Sequence, residues 1–98
     1  MSTQSTILAV GTTVGAVSDD VNLDDGVSAI VGIFVSANSV PRDCIYEIEQ
    51  DTPGVDKIQG RLSGEGDGEV RLTGPGTWRF TRLSAGADGV SSGLFLEE

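Results

Sequence analysis

Ninety-eight residues with 38% hydrophobic and 21% charged side chains suit one globular domain and are too apolar for a disordered tail. Six basic against fifteen acidic side chains, a net charge of −9, leave too little clustered Lys and Arg for a phosphate-binding surface, which argues against nucleic acid as a partner. The chain has no histidine, one cysteine and no run of eighteen apolar residues. It therefore lacks the commonest general base, any internal disulfide and a helical membrane span, and we expect no membrane partner.

The start of the chain, Met1-Ser-Thr-Gln-Ser-Thr6, is polar and has neither the basic start nor the apolar stretch of a secretion signal, so we expect synthesis and retention in a cytoplasm. Residues 1–5 read as a flexible arm in which Ser2, Thr3, Gln4 and Ser5 can order on a neighbouring subunit. Residues 6–98 read as a single β domain. Apolar residues there recur with period two, and glycine, of which there are fourteen, or Asp, Asn and Pro interrupts them too often for helical turns. The expected strands are Thr6–Val10, Thr12–Val17, Val27–Ser36, Cys44–Gln50, Val55–Leu62, Glu69–Thr73, Thr77–Leu83 and Gly93–Leu96. Seven or eight short strands separated by turn signals predict an all-β antiparallel sandwich or flattened barrel.

Between the second and third of these strands, Asp20-Val-Asn22-Leu-Asp24-Asp25-Gly26 places oxygen ligands at alternate positions, like the start of an EF-hand loop. The glycine comes one place late and Val31 stands where the closing glutamate belongs, so the segment reads as an Asx-rich turn and no metal site is expected. In Val27–Val35 one face carries Val27, Ala29, Val31, Ile33 and Val35, and the other carries Ile30 and Phe34. A strand apolar on both faces is central in a sandwich or covered by another subunit.

The second half predicts a hairpin meander from Cys44 to Leu83. Pairing around Pro53 sets Ile48 against Ile58, Cys44 against Leu62, Glu49 against Lys57 and Tyr46 against Gly60. A register one residue away puts Ile58 opposite Glu49 and breaks the pattern. Pairing around Pro75 sets Leu72 against Trp78 and Val70 against Phe80, turning Trp78 inward, with Arg71 facing Arg79 behind them. A third hairpin through Ser63–Gly68 adds Arg61 to that row. Three arginines on one exposed face require carboxylates nearby, from this chain (Glu47, Glu69) or from a neighbour.

Little supports catalysis. No Gly-x-Ser-x-Gly elbow and no phosphate-cradling loop ending in Gly-Lys is present, and the carboxylates fall mostly in turns. Cys44 alternates with Tyr46 and Ile48 and reads as a small buried residue. No enzyme activity and no cofactor are expected.

The segment Arg71-Leu-Thr-Gly-Pro-Gly-Thr-Trp-Arg-Phe-Thr-Arg82, with the later Gly93-Leu-Phe-Leu96, resembles the end of short virion proteins of tailed bacteriophages. From Thr6 to Phe95 the chain is similar to small head-decoration (cement) proteins and head-fibre bases. That resemblance implies a β-rich module on the outside of an assembled capsid, with the major capsid protein as partner, often as trimers. The expected contacts are Ser2, Thr3, Gln4, Ser5, Ile30, Phe34, Arg61, Arg71 and Arg79. The competing expectation is a carbohydrate-binding or adhesion module of a fibre or cell surface, which needs exposed aromatic rings.

Overall fold

The structure, a computed structural model, describes residues 4–35, 44–51, 57–64, 66, 68–85 and 91–98. Eight strands follow in order: β1 Gln4–Gly11, β2 Val21–Leu23, β3 Ser28–Val35, β4 Cys44–Gln50, β5 Lys57–Ser63, β6 Glu69–Thr73, β7 Gly76–Ala85 and β8 Ser92–Glu97. They form two antiparallel four-stranded sheets, β1-β8-β3-β6 (sheet A) and β2-β7-β4-β5 (sheet B), which pack as a sandwich.

Alternation builds the core. Sheet A turns Ile7, Ala29, Val31, Ile33, Leu72 and Leu94 inward, and sheet B meets them with Val21, Leu23, Cys44, Tyr46, Ile48, Leu62, Trp78 and Phe80. Trp78 is 6% exposed, so its ring belongs to this interior.

The pairing departs from a meander. Only β4 and β5 form a hairpin; β6 lies in sheet A against β3, while β7 lies in sheet B between β2 and β4. Gly74-Pro75 therefore carries the chain from one sheet to the other, and Gly74 N donates to Val27 O across that corner at 2.8 Å. Leu72 and Trp78 still both point inward, from opposite sheets. The polypeptide gains more by facing these two apolar surfaces together than by laying them side by side with one face bare.

The β4–β5 register is shifted as well. Near the turn Glu49 pairs with Ile58 and Gln50 with Lys57, the register the alternation argued against. A bulge then restores the inward–outward alternation but not the expected partners: Ile48 meets Gly60 and not Ile58, Tyr46 meets Leu62 and not Gly60, and Glu47 meets Arg61. Gly60 allows this because its φ of 152° lies where side chains are strained.

Two local expectations are also corrected. Thr12–Val17 forms a turn and a single bridge, Val17 to Thr81, and not a strand. Instead Val21–Leu23, inside the Asp-rich segment, pairs with Trp78–Gly76 of β7. At the N-terminus, Gln4 and Ser5 are strand residues opposite Glu97 and Leu96. Ser2, Thr3 and the turn expected around Pro53 lie outside the described residues.

Candidate functional site

The two outer faces differ in chemistry. On sheet B the outward positions carry Glu47, Glu49, Arg61, Thr77, Arg79 and Asn22. Arg79 lies opposite Glu49, its Nη1 3.6 Å from Glu49 Oε1 and its Nε 3.4 Å from Asp20 Oδ1. Thr77 donates its hydroxyl to Asn22 Oδ1 at 2.7 Å. These bonds use two of the oxygens that the EF-hand-like spacing offered. Among the described residues no three His, Cys, Asp or Glu side chains converge.

The arginine row does not form. Arg61 stands opposite Glu47 on β5, Arg79 stands opposite Glu49 on β7, and Arg71 lies in the other sheet opposite Ile30. Strand β4 separates Arg61 from Arg79 with glutamates, which removes the like-charge contact. Glu47, expected as a local counter-charge, is the cross-strand neighbour of Arg61.

The outer face of sheet A is apolar at its centre. Ile30 and Phe34 project from β3, with Gly32 between them. Phe95 of β8 lies opposite Gly32 and covers it: a Cβ at Gly32 would stand 2.6 Å from the Phe95 ring. Alongside, Gln4, Ser5, Thr6, Phe34 and Phe95 line an open groove of about 510 Å³. Gln4, Ser5 and Phe34, expected as contacts, are thus brought together. Phe95 and Thr6 were missed, although Leu94-Phe95-Leu96 alternates in a way that turns Phe95 outward. The described residues that line the groove offer apolar contact and hydrogen bonding.

A second constellation lies inside. Arg82 follows Trp78 and Phe80 on the inward row of β7 and is 2% exposed. Its Nε donates to Tyr46 Oη at 3.0 Å, Nη1 to Thr13 O at 3.1 Å, and Nη2 to Ser92 O at 2.6 Å and Ala9 O at 3.3 Å. The guanidinium carbon sits 5.6 Å from the Tyr46 ring centroid, within cation–π range. Tyr46 Oη and Ser92 Oγ are 2.7 Å apart, and Ser92 Oγ lies 3.3 Å from Cys44 Sγ. Among the described residues, carbonyl dipoles and the Tyr46 hydroxyl solvate this charge, and every buried side-chain polar atom has a partner. Since the acceptors come from β1, β8, β4 and the turn at Thr13, the arginine fastens the sheets together and is unavailable to a ligand.

No family model, curated protein or solved structure matches the chain.

Proposed function

We propose that the chain is a non-enzymatic virion structural protein that seats the outer face of sheet A on the outside of an assembled phage capsid. One observation carries this reading: sheet A presents Ile30, Phe34 and Phe95 on its outer face, the two phenylalanines lining an open groove, whereas sheet B presents paired charges. A grouped apolar face rimmed by polar residues is a contact surface. The virion-like Gly-Pro-Gly-Thr-Trp segment supplies the choice of partner. The acidity keeps free copies soluble before they assemble.

The test mixes the purified protein with empty phage capsids, and a major capsid gene found next to this one would say which capsid to use. Wild-type protein should co-sediment with them. Phe34→Asp should weaken binding roughly tenfold or more, as expected when a central aromatic anchor is lost. Its melting temperature should be unchanged, because Phe34 lies outside the core. Wild-type protein that stays in the supernatant would remove the reading.

The same groove supports a second reading, a glycan-binding module, because two phenylalanine rings stand beside the polar Gln4, Ser5 and Thr6. Burial of Trp78 and Tyr46 takes away the better stacking platforms. Saturable shifts of Phe34 and Phe95 resonances on adding oligosaccharides would favour it over the capsid.

A further inference from the structure

The charges are unevenly distributed. All six basic and fifteen acidic side chains lie from Asp19 onward, and Met1 to Ser18 carry none. The described part of that stretch, together with β2 and the Asp19-Asp20 link that leads into it, builds one lateral side of the sandwich, so the charge-free part of that side is β1 and residues 12–18. β1 is the free edge of sheet A. Residues 15–18 then run along β7 at the same edge of sheet B, with Gly15 N donating to Arg82 O and Ser18 N to Phe80 O, both at 2.8 Å. Asp19 N donates to Ile7 O at 2.9 Å and joins the two edges.

This side is also where apolar side chains reach solvent. Val10, Val14 and Val17 are 44%, 65% and 52% exposed, and among the described residues the one other large apolar side chain so exposed is Val27, at 38%. The opposite side is different. Its edge strands are β5, with Arg61, and β6, with Glu69 and Arg71. Charges of that kind keep sheet edges from pairing with other chains. β1 itself carries no charged side chain, and the charges beside it are Asp19, bonded at Ile7, and Glu97, opposite Gln4. Bulges interrupt β1 after Thr6 and after Leu8, and among the described strands the regular stretch Gln4–Thr6 has one neighbour, β8.

We propose that the charge-free part of this side, β1 and residues 12–18, is the docking surface for a second copy of the chain, with β1 adding antiparallel to β1 of the other copy across a two-fold axis. Charge selects the occupant. Two molecules at −9 repel each other over most of their surfaces, and this side is where they can approach with the least like-charge contact. A basic partner would gain nothing here and would be drawn to the acidic faces instead. Identical strands pair antiparallel about a two-fold axis, which closes the interface and leaves no growing edge at β1. The proposal does not depend on the capsid reading, and it departs from the trimers that the virion resemblance implies.

Sedimentation of the free protein from micromolar to millimolar concentration tests it. The expected species is a dimer. Val10→Lys combined with Val14→Lys, both at exposed positions, should raise the dissociation constant roughly tenfold or more, since a two-fold axis doubles each added charge. Circular dichroism and melting temperature should stay unchanged. In parallel, amide exchange at Gln4–Val10 should slow as concentration rises. A monomer throughout, a trimer, a dimer indifferent to the lysines, or concentration-independent exchange at β1 would each overturn the proposal. Capsid binding through Phe34 is read in a separate experiment, so either idea can fail alone.

Discussion

Arg82 brings a charge in among Trp78, Phe80, Tyr46 and Leu94, and the partners it finds among the described residues are carbonyls and a hydroxyl. A guanidinium tolerates this better than an ammonium because it is more weakly hydrated and its planar fork meets several acceptors at once. Removing it leaves the carbonyls of Ala9, Thr13 and Ser92 and the Tyr46 hydroxyl facing the gap. Arg82→Met should therefore cost about 3–5 kcal/mol in urea denaturation, several buried acceptors each losing their partner. That is a large share of the roughly 5–15 kcal/mol that holds a domain folded. Arg79→Met should cost less than about 1 kcal/mol, because its partners Asp20 and Glu49 stay solvated. Equal losses for the two would show that the buried network adds no more than a surface pair.

At the scale of elements, the bulge in the β4–β5 hairpin concentrates its requirement in one residue. Gly60 adopts a φ of 152°, and nothing lies within 4 Å of where a Cβ would stand, so the constraint is backbone conformation and not space. Gly60→Ala should cost about 1–3 kcal/mol, the usual strain of a side chain held in that region. A neutral substitution would mean that the hairpin can slide to an unbulged register. The same hairpin marks how far the sequence could be read. Alternation in Cys44–Gln50 and Thr77–Leu83 was enough to place strands and inward residues, Trp78 among them. It could not assign partners, because Gly74-Pro75-Gly76 has the same composition whether the chain returns beside itself or crosses to the facing sheet. β2 was hidden for a related reason: three residues, Val21–Leu23, carry too little period against flanking Asp and Asn that favour a turn. Extending the alternation from Trp78 and Phe80 by two more residues reaches Arg82, but residue type argued for solvent there. Phe34 and Ile30 were legible as an outer apolar pair; the groove was not, since it depends on β8 lying between β3 and β1.

Over the whole molecule, the distribution of charge predicts an unusual response to salt. Dimers held by ion pairs weaken as ionic strength rises, because screening reaches the attractive pairs first. The side formed by β1 and residues 12–18 has no charged side chain to lose, while each copy carries −9 elsewhere. Screening therefore acts mainly on repulsion between the two bodies, and exposed apolar contacts such as Val10 and Val14 are left in place or strengthened. Raising salt from about 50 mM to about 500 mM shortens the Debye length from about 14 Å to about 4 Å. The dimer should tighten over that range, with the Val10→Lys, Val14→Lys protein showing a larger relative gain because its added charges are screened too. A dimer that loosens instead would place ion pairs in the contact, and Glu69, Arg71 and Glu97 on sheet A are the described charges positioned to supply them. That outcome would move the self-association from the edge of the sandwich to its outer face, where it would compete directly with any partner held by Phe34.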